Sequence, residues 1–281
     1  MAQLNRRQML KGSVAGSFAL GAAGLFGTAH AAGAVKFPKK WDETVDVIVI
    51  GSGFAGMAAA IEAKNAGANV IVLEKMPTYG GNSAINGGIL TATGCPQQKK
   101  HGIKDSPELL AHDMLVAGLY MNQPEKVKLV ASHALSNYEW TVNYLGVEYN
   151  PDAIGQEGGH SVPRYVFTKN GSGSGITSKE KQKLDELGVK IRTRTYVKHI
   201  FRNDDGRVVG IEVREGYRFP NENSGRTKFI AAKKGVVLCY GGFSCDVPYR
   251  TMQNPMLTAK FDSTNQPGAT AELWRETSRI G

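Results

Sequence analysis

Gly51-Ser52-Gly53-Phe54-Ala55-Gly56 places three glycines two and three residues apart, and an acid, Glu74, stands 23 residues after the first of them. Glycine at 51 permits a tight turn, and at 53 it lets backbone N–H groups close on a pyrophosphate at the positive end of a helix. Glycine at 56 allows that helix to lie close against a strand. A carboxylate at Glu74 accepts hydrogen bonds from ribose hydroxyls and repels a 2′-phosphate. The chemistry these residue types predict is the binding of a dinucleotide.

Such a fingerprint carries weight only between a strand and a helix. Val45 to Ile50 is a nearly unbroken apolar run of the kind buried in a parallel sheet. The alanine-rich stretch after Gly53 predicts a helix ending near Asn65-Ala66-Gly67, and Val70 to Glu74 a second strand. Just beyond Glu74-Lys75 come Gly80-Gly81-Asn82-Ser83 and Asn86-Gly87-Gly88. Small residues there suit a chain passing close along a cofactor longer than its adenosine half, with Asn82 and Ser83 offering hydrogen bonds toward a flavin ring.

Further along, Ser106-Pro107-Glu108 opens a helix through Ala117, and Pro124-Glu125 opens a longer one to about Leu145, stopped by Gly146. Gly155 to Gly175 reads as loop and Ile176 to Leu187 as a polar helix ended by Gly188. Five β-runs follow: Val189 to Thr195, Val197 to Phe201, Val208 to Arg214, Lys228 to Ala231 and Val236 to Tyr240, with Asn203-Asp204-Asp205-Gly206 as a hairpin turn. Ala271 to Ile280 begins another helix.

The 281 residues carry a formal charge of +9. No like-charge run or basic-aromatic stripe points to nucleic acid. Asn5-Arg6-Arg7-Gln8-Met9-Leu10-Lys11, the apolar stretch Ser13 to Phe26 and Ala29-His30-Ala31 read as a signal peptide over residues 1–31. The arginine pair resembles a twin-arginine signal, which predicts periplasmic export of a folded, cofactor-loaded protein. Its apolar run is shorter than the roughly 20 residues a membrane span needs. Residues 32–41 form a linker, and 42–281 the domain proper. Cys95, Cys239 and Cys245 are read as three buried thiols, the histidines show no metal-ligand spacing, and no C-x-x-C-H attaches a haem.

These motifs together resemble the flavoprotein subunits of the fumarate reductase and succinate dehydrogenase family, especially the exported flavocytochrome c-type reductases. The residues that carry the resemblance are Val45 to Gly56, Glu74-Lys75, Gly80 to Ser83 with Gly87-Gly88, and Gly158 to Arg164. To these are added Leu238 to Phe243 and Ser263 to Thr270. The resemblance implies an α/β fold, a Rossmann-like FAD-binding domain with an added β-meander, and FAD as cofactor. Ala55 and the glycines around it would hold the pyrophosphate, and Glu74 the ribose. Asn82, Ser83 and Gly88 would lie by the flavin, the backbone near Val197 by the adenine, and Gly241-Gly242 near the cofactor's middle.

The resemblance further implies hydride transfer from reduced flavin to an activated alkene such as fumarate or another small unsaturated carboxylate. Electrons would come from a separate periplasmic c-type cytochrome. A flavin dehydrogenase or oxidase of the ketosteroid kind, or a fragment that binds FAD without catalysis, are the alternatives. The clamp domain of the family, with its proton-delivering arginine and carboxylate-binding groups, is expected to be missing from this chain, which leaves 42–281 an incomplete FAD-binding domain. No catalytic residue is assigned; His160 and Arg164 are the nearby acid-base or carboxylate-binding candidates, with structural roles favoured for both. Two departures stand out, Cys239-Tyr240 before Gly241-Gly242, and Thr270-Ala271-Glu272 where Thr-Gly-acid is common, which leaves Glu272 without a clear role.

Overall fold

The computed structural model describes residues 35–281. The signal peptide and the start of the linker lie outside the described residues. From Phe37 onward the linker is tied to the sheet, because Phe37 and Trp41 set their rings against Phe201 at centroid distances of 5.3 and 5.7 Å.

The apolar run expected to be a buried strand is β1 (Glu43–Ile50), and it leads into α1 (Phe54–Asn65) and β2 (Val70–Leu73). Next come α2 (Gly81–Ile85), β3 (Ile89–Thr91), α3 (Pro96–Lys100), α4 (Pro107–Ala117) and α5 (Pro124–Glu139), the last continued by a π-helical turn to Tyr144. Ser106 caps α4, its hydroxyl accepting from the Leu109 N–H at 3.1 Å. The remaining elements are β4 (Tyr165–Phe167), α6 (Ser174–Glu186), β5 (Ile191–Arg192), β6 (Thr195–Arg202), β7 (Val208–Glu215), β8 (Arg226–Leu238), α7 (Val247–Gln253) and α8 (Glu272–Ile280).

Six strands form one sheet in the order β5-β2-β1-β8-β7-β6. The first four run parallel, and β8, β7 and β6 form the antiparallel meander. Strand β8 belongs to both halves: Arg226 to Ala231 pairs with β7, and Ile230 to Leu238 pairs with β1. Along β1 the side chains alternate between two cores. Val49 joins Met57, Ile61, Val72 and Leu184 beneath the helices, while Ile48 and Ile50 join Ile71, Leu73, Ile200 and Ile211 on the meander side. Glu43, at the head of β1, brackets the sheet by accepting from Arg192 on β5 at 2.8 and 2.6 Å and pairing with Lys228 on β8 at 2.8 Å. Its hydrogen bonds to Arg192 outweigh the cost of burial and pull the carboxyl down to about 2.

Several expectations need correction. Gly155 to Gly175 is not all loop, because Tyr165-Val166-Phe167 finds an antiparallel partner in β3, far upstream. The runs Lys228 to Ala231 and Val236 to Tyr240 belong largely to one strand, which ends at Leu238; exposed Lys233 and Lys234 form a bulge between them, where the pairing with β1 shifts register and then resumes at Gly235. The run Val189 to Thr195 shrinks to two residues, and Thr195 starts β6. Only Cys95 is buried, whereas Cys239 and Cys245 are half-buried, because both follow the end of β8 near the cavity described below.

Candidate FAD-binding site

The carboxyl ends of β1, β2 and β8 open on a cavity of about 300 Å³. Open α/β sheets bind ligands at that edge. The turn after β1 is forced by its neighbours. Gly51 has φ +102°, and a Cβ there would stand 2.1 Å from the Cys239 carbonyl oxygen. A Cβ on Gly56 would stand 1.9 Å from the Gly51 carbonyl oxygen, so the first turn of α1 sits directly on the turn that precedes it.

Of the residues expected to touch the cofactor, Gly51, Ser52, Gly53, Phe54, Ala55, Glu74, Lys75, Gly81, Asn82, Ser83, Val197, Gly241 and Gly242 line this cavity. Three expected residues do not. Gly56 is buried between helix and turn. Gly87 and Gly88 lie past α2, and Gly88 backs onto Thr168 and Ser172 because the 168–172 loop crosses behind it.

The walls are joined by hydrogen bonds between distant segments. Ser52 Oγ donates to Glu74 Oε2 at 2.6 Å and accepts from the Gly80 N–H at 3.1 Å. Ser83 Oγ accepts from the Phe54 N–H at 3.1 Å. Lys75 Nζ reaches across to Thr270 Oγ1 at 2.5 Å and to Glu272 Oε2 at 3.0 Å. Asn82 holds the same C-terminal loop, donating to Asn265 Oδ1 at 2.5 Å and accepting from the Gln266 N–H at 2.6 Å. Glu272 thus has a definite place, on the cavity wall and paired with Lys75. Residues 265–272 were visible in the sequence as a motif, but their use as the opposite wall was not. Below Gly241 an aromatic cluster supports the floor: Trp274 Nε1 donates to the Gly241 carbonyl at 3.1 Å and its ring meets Tyr240 and Phe243 edge-on.

His160 and Arg164 stand apart, and neither lines the cavity. Arg164 is fully buried; Nε and Nη2 donate to the two Asp105 oxygens at 2.9 and 2.8 Å, and Nη1 to Asp113 Oδ2 at 2.6 Å. His160 Nδ1 lies 2.6 Å from Nη1, and burial together with the nearby guanidinium lowers the tendency of its ring to take a proton. Burial raises Asp113, but hydrogen bonds from Ser161 and Arg164 overcome it and hold the carboxyl below its ordinary value. The group is a structural knot. Its aspartates gave no sequence signal, since acids on a helix and its approach read as solvated.

The residues on the cavity wall suit an FAD. Gly53 and Ala55, both on its wall, begin a helix whose first N–H groups have no intrahelical acceptor, as a pyrophosphate requires. Glu74 supplies the acid at the end of β2 that a ribose requires.

Residues 46–275 match the family model described as FAD binding domain. The chain is 41% identical over 280 residues to the acrylate reductase flavoprotein subunit of Shewanella woodyi, covering 99% of this chain and 54% of that protein. It is 34% identical to the urocanate reductase of Eggerthella lenta, covering 87% of this chain and 39% of that protein. Among solved structures, the open conformation of a flavocytochrome c3 fumarate reductase superposes with a TM-score of 0.77 at 31% identity, over 86% of this chain and 41% of that one. The chain therefore spans about half, or less, of the length of these relatives. With the fold, the cavity and these likenesses in agreement, this chain belongs to the FAD-binding flavoprotein family of the fumarate reductase and succinate dehydrogenase type.

Proposed function

We propose that this chain is the FAD-binding portion of an exported reductase that adds a hydride and a proton across the C=C bond of a small unsaturated carboxylate. The observation that carries the reading is the 41% identity, along 99% of the chain, to an acrylate reductase flavoprotein subunit. The chain's own residues do the holding: the N–H groups at the start of α1 take the pyrophosphate and Glu74 the adenosine ribose. Backbone at Val197 borders the adenine, Gly241 and Gly242 pass along the middle, and Asn82 and Ser83 reach toward the ring. Bound and reduced, FAD supplies the hydride.

The arginine pair at Arg6-Arg7 supports periplasmic export. With no haem attachment motif in the sequence, a separate periplasmic c-type cytochrome is the electron donor we favour. No helix among the described residues is long and apolar enough to cross a membrane. A ketosteroid-type dehydrogenase is the second reading, supported by a Rhodococcus jostii 3-ketosteroid-delta4-(5alpha)-dehydrogenase with a TM-score of 0.76; its 26% identity, against 31% for the fumarate reductase, favours the first.

The test is cofactor content and turnover together. The purified chain should hold one FAD and show no alkene-dependent oxidation of a reduced dye; neither His160 nor Arg164, the candidates for acid-base or carboxylate-binding work, lines the cavity. The protein isolated from its host's periplasm should oxidise the dye with acrylate, fumarate or urocanate. A chain that takes up no FAD removes the proposal, and steroid-dependent dye reduction would move it to the second reading.

A further inference from the structure

We propose that Ser52 is a positioning residue that presents the Glu74 carboxylate to the cofactor through one oxygen only; this rests on the FAD site proposed above. Ser52 is 1% exposed and Glu74 9%, yet both line the cavity. Oε2 of Glu74 accepts from the Ser52 hydroxyl at 2.6 Å and from the Ser52 N–H at 3.3 Å. Oε1 accepts from the Met76 N–H at 2.9 Å, its one donor among the described residues. A carboxylate oxygen accepts about two hydrogen bonds. Ser52 therefore fills Oε2, and the remaining place for a ribose hydroxyl is on Oε1.

The hydroxyl has a second duty. It carries one proton, spent on Glu74, and its lone pair takes the Gly80 N–H at 3.1 Å. One buried side chain thus ties the phosphate turn after β1, the acid at the end of β2 and the start of α2. The middle position of a G-x-G turn needs only a small residue to let the backbone close. Serine there adds control over the direction of the acid.

The test is a thermodynamic cycle on the full chain, titrating with FAD and with an FAD analogue whose adenosine ribose lacks both hydroxyls, followed by flavin fluorescence. Ser52→Ala should weaken FAD about tenfold, as expected for losing a hydrogen bond to a charged group, while changing the analogue less than about twofold. Ser52→Thr, which keeps the hydroxyl, should restore FAD binding. Equal weakening of both ligands, or no rescue by threonine, would assign Ser52 to the fold alone and overturn the proposal. If Ser52→Ala does not fold, Ser52→Cys supplies the cycle with a weaker donor of similar size, with the same selective loss expected. Wild-type binding of FAD with no effect of either variant sinks this inference and spares the site; failure of the wild-type chain to bind either ligand sinks both.

Discussion

The cavity at the end of β1 and the knot around Arg164 are both rich in polar groups, and they differ in what is left over. Four hydrogen-bonding contacts occupy the Arg164 guanidinium, which has five N–H donors. Every nitrogen of the guanidinium has a partner within the chain, and the group fixes the 155–165 segment to α4. In the cavity, by contrast, side chains satisfy one another across the walls while helix-start N–H groups and one place on Glu74 remain. A buried charge whose partners are all supplied holds a fold together; a partly satisfied concave surface at a sheet edge is where a ligand completes the accounting.

Replacing Arg164 by methionine tests the first half of that contrast. Asp105 and Asp113 would be left as buried unpaired carboxylates, at a cost of about 3–5 kcal/mol measurable by urea unfolding. FAD affinity of the molecules that remain folded should change little. A lysine at the same position should rescue only in part, because it cannot reproduce the bidentate fork on Asp105. Loss of FAD affinity in step with stability would join the two regions and erase the contrast.

Gly51→Ala addresses the cavity itself. The new Cβ meets the Cys239 carbonyl in a backbone conformation that alanine avoids, which should cost about 2–4 kcal/mol and abolish FAD uptake. Retained FAD binding at full stoichiometry would show that this turn is not needed for the site.

Glu180 on α6 sharpens the comparison as a buried acid with neither arrangement. It is 2% exposed, its Oε2 has no partner among the described residues, and burial pushes its carboxyl up to about 9. The folded chain therefore keeps a proton that the unfolded chain releases above about pH 4.5, so Glu180 causes stability to fall as pH rises from there toward 9. Glu180→Met should raise stability by about 1–3 kcal/mol at pH 8 and by little at pH 4, read from thermal unfolding at the two pH values. A gain that is the same at both would mean the carboxyl is not held neutral.

Much of the site was legible in sequence because its chemistry is local. Gly51 to Gly56 and Glu74 lie on one strand-turn-helix-strand unit, where spacing along the chain nearly equals position in space. The hairpin at Asn203 to Gly206 was equally clear, since turn residues declare themselves. What could not be read depends on partners far apart in the chain. Tyr165 to Phe167 is a strand only because Ile89 to Thr91 lies beside it, and β8 continues past the bulge at Lys233 and Lys234 because β1 pairs with it on both sides.

The sequence by itself determined the βαβ unit, its dinucleotide site and the hairpin at Asn203 to Gly206, through short-range patterns of glycine, apolar residues and turn chemistry, while the meander and FAD as the cofactor came from the family resemblance. Tertiary structure alone decided that Lys75 meets Glu272, that Asn82 holds the 265–266 loop, that Ser52 points Glu74, and that Arg164 is structural. A hydrogen bond or ion pair between residues some 20 to 200 positions apart is set by how the sheet and helices bring segments together. No local pattern encodes that meeting.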